Sequence, residues 1–171
     1  MRLLRRGDVL THCFRPAPNA PVEDAGRLTD ALAEARARGV LFDIGHGMGA
    51  FSWPSARAAM AAGFAPDTIS SDVHVLCVDG PAWDLLRTMN KLMALGMSLT
   101  DVIRATTETP ARALRRQDLG RLAPGGPGDA SVIRLVDEPI DLEDVKGEWL
   151  TWNQRLVPKA RVLHGRYEEM A

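Results

Sequence analysis

Along the chain, short continuous apolar runs alternate with stretches whose apolar residues recur at helical spacing. Val9-Leu10-Thr11-His12-Cys13-Phe14 is one such run, entered through Gly7-Asp8. It predicts a short buried strand that carries an imidazole to its C-terminal end. Val40-Leu41-Phe42-Asp43-Ile44-Gly45-His46 repeats the design, and Thr68-Ile69-Ser70-Ser71-Asp72-Val73-His74 repeats it again. The middle run is nearly all apolar, as expected of a strand covered on both faces. Between the first two, Leu28, Ala31, Leu32 and Ala35 predict a helix from about Asp24 to Arg38, stopped at Gly39. Ser52-Trp53-Pro54 has the form of a second helix start, with Ser52 as cap and Pro54 in the first turn, running to about Ala62. Strand, helix, strand, helix, strand is the rhythm of a parallel sheet with crossover helices, an α/β fold.

The connections fit that rhythm. Arg15 to Pro21 holds Pro16, Pro18 and Pro21, which remove donors and fix φ, so it predicts a stiff loop after the first strand. Gly45, Gly47 and Gly49 around His46 allow close backbone approach or positive φ. Two more helices are expected. One runs from Pro81 to about Leu95 with an apolar face of Leu85, Leu86, Met89, Leu92 and Met93; the other opens at Ser98 and passes through Ile103 to Thr107. The methionines read as core. Gly120 to Asp129 is dense in turn formers, and Ala130 to Val136, Glu148 to Trp152 and Arg161 to Gly165 are strand candidates without helices between them. The expected division is residues 1–119 as the α/β part and 120–171 as an appended β-structure.

Composition adds little beyond exclusions. A hydrophobic fraction of 46%, a charged fraction of 25% and a net charge of −1 describe an ordinary globular chain with no nucleic-acid or anionic-membrane partner implied. Cys13 and Cys77 make no disulfide framework and suggest buried thiols in a reducing cytoplasm. The N-terminal residues lack the apolar core of a signal peptide, and no run approaches the roughly 18 apolar residues of a spanning helix.

The candidate chemistry lies at the strand ends. His12 and His46 are metal-ligand candidates, because parallel-barrel active sites lie at the C-terminal ends of strands and imidazole suits a borderline ion such as zinc. A hydrogen-bonded structural histidine is the alternative for each. Asp72 is either a helix N-cap or turn residue, or a carboxylate that takes a proton from a metal-bound water and hands it on. Arg15 and Asn19 are candidates for binding a substrate carboxylate, with a surface role as the alternative. His74 is a candidate pocket residue or a solvated side chain. Asp43 reads as a buried, paired group supporting the ligands, Cys13 as packed core on the face opposite His12, and His164 as exposed.

Together these segments resemble the second half of an amidohydrolase-superfamily metalloenzyme of the dihydroorotase-like and deacetylase-like branch. Gly7 to Phe14 resembles that branch's fifth-strand histidine segment, Phe42 to Gly47 its sixth-strand segment, and Ile69 to His74 its catalytic aspartate segment. Ala105-Thr106-Thr107, Thr109-Pro110-Ala111, Gly120-Arg121-Leu122, Pro124-Gly125 and Gly128-Asp129-Ala130 resemble the succession leading out of the barrel into a small β-sandwich. The resemblance implies the C-terminal half of a TIM-type (β/α)8 barrel followed by part of a β-sandwich. His12 and His46 would hold one ion of a zinc pair, and Asp72 would ligate the other and act as general base, then acid. A metal-bound hydroxide would attack a cyclic amide, N-acyl compound or acetyl ester.

The sequence departs from that pattern upstream. No His-x-His precedes His12, and Lys91, Lys146 and Lys159 all follow the constellation, so none stands where the family's bridging lysine falls. The expectation is therefore a C-terminal fragment, inactive alone, that pairs with a missing N-terminal half or with itself. A non-catalytic half-barrel subunit and a complete mononuclear zinc hydrolase using His12, His46 and Asp72 are the alternatives.

Overall fold

The computed structural model describes residues 1–23 and 27–170. Strand β1, Val9–Leu10, runs parallel to β2, Leu41–Phe42, with Val9 opposite Leu41 and Leu10 opposite Phe42. Asp43 continues the ladder by a parallel bridge to Thr68, and the amides of Ile44, His46 and Gly47 donate to the carbonyls of Thr68, Ser70 and Ser71. The three apolar runs thus lie side by side in one direction, with their C-terminal ends at one mouth. The strand character of the first run stops earlier than its pattern predicts. His12 takes φ 70°, a left-handed conformation that ends the extended path, and pairing resumes only where Cys13 N donates to Asp43 O and Phe14 bridges Phe51.

Helix α1, Asp30–Ala37, and helix α2, Trp53–Ala61, make the crossovers. The expected start of the first helix at Asp24 falls outside the described residues, and the helix begins only after Thr29, because Val22 and Leu28 pair as an antiparallel bridge. Ser52 stands at the N-cap of α2 without a side-chain cap bond, and Pro54 lies in the first turn as expected. Leu32, Ala35, Ala56 and Ala59 turn inward onto Phe42, Ile44, Phe51 and Phe64. Helices α3 (Leu85–Ala94), α4 (Leu99–Thr106) and α5 (Glu108–Ala113) follow the third strand. Asp84 caps α3 through the amide of Arg87, which sets its start four residues beyond the expected Pro81; Ser98 caps α4 through the amide of Asp101.

The remainder is antiparallel. β3 (Ala130–Val136), β6 (Arg155–Leu163) and β7 (Arg166–Glu169) form one sheet in the order β3-β6-β7, and β4 (Ile140–Glu143) pairs with β5 (Trp149–Trp152) as a hairpin. Leu142 and Leu156 join the core cluster of the parallel strands, so the described residues share one continuous apolar interior. The parallel sheet is open among the described residues, and no helix in them is long and apolar enough to cross a membrane.

Candidate functional site

His12 and Asp72 close the first and third parallel segments, and the structure brings them together: His12 Nε2 lies 4.0 Å from Asp72 Oδ2. Both are partly solvent-accessible, and both adopt left-handed backbone, φ 70° and 47°. Such conformations are uncommon for residues with a Cβ, and they turn the two side chains toward each other at the mouth. Two glycines make the space. A Cβ on Gly45 would collide with Thr11 Oγ1 and His12 Nδ1, and a Cβ on Gly47 would stand 2.6 Å from Asp72 Oδ2. These are two of the three glycines singled out in the sequence. Gly49 has nothing within 4 Å and no positive φ.

His46 is not brought into this pair. Its ring is fully buried and stacked on Phe51 at 4.9 Å between centroids. Nδ1 donates to Gly47 O at 2.9 Å, and Nε2 meets Lys91 Nζ at 2.6 Å, so both ring nitrogens have a partner here. Lys91, also fully buried, donates further to the carbonyls of Pro81 and Glu143. Its three acceptors match the three hydrogens of an ammonium. Burial first, then the Lys91 charge, pushes the His46 pKa down to about 3, so the ring stays neutral. Burial, then the Arg87 charge, pulls Lys91 down to about 7. The pair ties the glycine loop to α3 and to the β4–β5 hairpin. Among the three sequence lysines, this one has a site role that spacing to the histidines does not reveal. Its signal is a cation between Thr88, Leu92 and Leu95 on the inward side of α3.

Asp43 is buried, as its place in an apolar strand predicts, and it is surrounded by hydroxyls. Thr68 donates to Oδ1 at 2.7 Å, and Thr11 and Ser70 donate to Oδ2 at 2.7 and 2.6 Å. Cys13 is buried, and burial raises its thiol pKa above the usual range, which suits packing rather than reactivity. Arg15 is half-buried and Asn19 exposed in the proline loop; neither makes an ion pair among the described residues. His74 is exposed in the loop after Asp72, its Nδ1 accepting from the amide of Leu76 at 3.3 Å. His164 lies on the β-region, exposed.

An imidazole and a carboxylate 4.0 Å apart lie within the span of two metal–ligand bonds of about 2.1 Å. The donor types fit a divalent ion. Among the described residues, no group of three or more His, Cys, Asp or Glu that could hold such an ion comes together.

With parallel strands presenting an imidazole and a carboxylate at one mouth, the comparison with known proteins is direct. Residues 50–165 match the profile of the Amidohydrolase family, and the chain belongs to that family. It is 32% identical over 163 residues to a deacetylase of Brucella anthropi, 33% identical over the same length to a deacetylase of Agrobacterium fabrum, and 30% identical over 168 residues to a deacetylase of Enterococcus faecalis. These alignments cover 95%, 95% and 97% of this chain but only 40%, 40% and 46% of the relatives. The chain thus spans less than half their length. Among solved structures it is similar to an adenine deaminase, with TM-score 0.95 and 30% identity over 99% of this chain and 46% of that one. It is also similar to a dihydroorotase, with TM-score 0.88 and 35% identity over 98% of this chain and 45% of that one.

Proposed function

We propose that this chain is the C-terminal half of a (β/α)8-barrel hydrolase with part of a small β-sandwich attached, residues 1–119 and 120–171. The enzyme would hydrolyse a carbon–nitrogen amide bond in a cyclic amide or N-acyl compound, or an acetyl ester. The observation that carries this reading is the His12–Asp72 pair, cleared by Gly45 and Gly47, in a chain of the amidohydrolase family. His12 through Nε2 and Asp72 through its carboxylate would hold a divalent cation, for which zinc suits the nitrogen and oxygen donors. A cation bound there supplies Lewis acidity toward the substrate carbonyl and makes water a stronger acid. Asp72 takes the proton of the attacking water and returns it to the leaving nitrogen or oxygen, which a half-exposed carboxylate at the mouth can do without moving the backbone. Arg15 and Asn19 would anchor a substrate carboxylate, and His74 would line the pocket above Asp72. The names of the similar proteins support acyl-amide and ring carbon–nitrogen bonds as substrate classes. The rest of the ligand set would come from an N-terminal half, and the location would be the cytoplasm.

The test measures zinc uptake and hydrolysis of an N-acetyl amino acid and of a cyclic amide, by the chain alone and with an added N-terminal half of the Agrobacterium relative. Turnover is expected only in the complemented sample, and Asp72→Asn should lower it at least about 10²-fold while leaving the fold intact. Unchanged turnover in Asp72→Asn would remove Asp72 from the chemistry, and a stable monomer that takes up no zinc would remove the half-site itself. A non-catalytic half-barrel subunit is the second reading, favoured by the presence of only two converging donors among the described residues. Complementation without any turnover would select it.

A further inference from the structure

Asp43 is a buried carboxylate with three hydroxyl donors and no cation within ion-pair distance among the described residues. The donors come from the two neighbouring segments: Thr11 from the first, Thr68 and Ser70 from the third. Each hydroxyl owns one hydrogen. Thr11 spends its hydrogen on Asp43 Oδ2, so the 3.2 Å contact between Thr11 Oγ1 and His12 Nδ1 must take its hydrogen from the ring. A neutral imidazole protonated at Nδ1 carries a bare lone pair at Nε2, and Nε2 is the nitrogen that faces Asp72.

We propose that Asp43, acting through Thr11, is a positioning residue that fixes the tautomer of His12 and presents its unprotonated Nε2 to the mouth of the site. Two further contacts give the relay its geometry. Gly45 leaves room for the Thr11–His12 contact, since a Cβ there would overlap both partners. Ser70 Oγ, while donating to Asp43, accepts from the amide of Gly45 at 3.2 Å, so the same carboxylate holds the glycine that clears the space. The bond pattern stands without any ion; its consequence for metal holding rests on the function proposed above.

The tautomer is read directly by long-range ¹H–¹⁵N correlation on the full chain labelled at histidine, without metal, above the ordinary imidazole range of about 6.5. His12→Gln identifies the His12 signals among those of the four histidines. In the unmodified chain His12 is expected to show protonated Nδ1 and unprotonated Nε2. Thr11→Val removes the acceptor and should shift His12 toward the Nε2-protonated form, while Thr11→Ser should restore the original pattern. Asp43→Asn should shift it likewise, because the Thr11 hydrogen is released to Nδ1. The Thr11 pair decides the matter if Asp43→Asn does not fold, since Thr11 is exposed and its replacement leaves the core alone. Zinc affinity of the complemented protein should fall about 10–100-fold in Thr11→Val and recover in Thr11→Ser. An Nε2-protonated His12 in the unmodified chain, or identical spectra for Thr11→Val, would overturn the proposal. Loss of hydrolysis by itself, with the tautomer pattern as expected, would count against the proposed reaction and leave this relay standing.

Discussion

At the scale of single residues, this mouth is shaped by what is missing from glycine as much as by what histidine and aspartate supply. Gly47 has φ 48°, and a methyl there would press on Asp72 Oδ2. Gly47→Ala is therefore expected to cost about 1–2 kcal/mol from the left-handed backbone alone, and to displace the Asp72 carboxylate. Urea unfolding reads the first effect, and zinc uptake of the complemented protein reads the second. His46 carries a different expectation. Its folded pKa near 3 lies below the ordinary imidazole value near 6.5, so between those values the unfolded chain binds a proton that the folded chain refuses. The His46 contribution to stability is complete above 6.5 and is lost as pH drops toward 3. Urea midpoints at pH 7, 5 and 4 should show the decline, and His46→Gln, less stable at neutral pH, should flatten it. The convergence of His12 and Asp72 was legible because each ends an apolar run. The contact of His46 with Lys91 was not, since its sequence context matches theirs and nothing in the spacing points to the buried lysine beside it.

Among the elements, the β4–β5 hairpin does more for the parallel strands than its length suggests. Asp144, buried between them, accepts the amide of Trp53 at the start of α2 and the amides of Lys146 and Glu148 in its own turn. Trp53 Nε1 donates to Leu142 O, and Val145 N to Phe51 O. Asp144→Ala would strand these donors, with an expected loss of about 2–3 kcal/mol, visible as a lower urea midpoint at unchanged slope. The crossover helices and the strand Ala130–Val136 could be read from periodicity and turn formers. β4 follows Pro139 and is only four residues long, so its Ile140–Leu142 alternation is too short to stand out, and β7 is exposed throughout and leaves no apolar signature. The early end of β1 at Leu10 was hidden for another reason: a left-handed turn at a histidine has no marker in the sequence, where a glycine would have announced it.

Taken whole, the described residues share one apolar interior beside an open parallel sheet. Among the described residues β1 pairs on one side only, with Val9 half-exposed and Leu3 almost fully so. An open edge of that kind invites pairing, and sedimentation at rising concentration is expected to show self-association that an added N-terminal half suppresses. The Lys91 ammonium adds a constraint of another sort. Two of its acceptors, at Pro81 and Glu143, are main-chain carbonyls, which any amino acid could provide. The lysine therefore dictates where the chain must pass at those points while leaving the identity of residue 143 unrestricted. A chimera that exchanges the β-region for one of different sequence should keep its glycine loop in place so long as the new backbone follows the same path. An insertion of one residue in the hairpin, changing no side chain near the mouth, should disturb it.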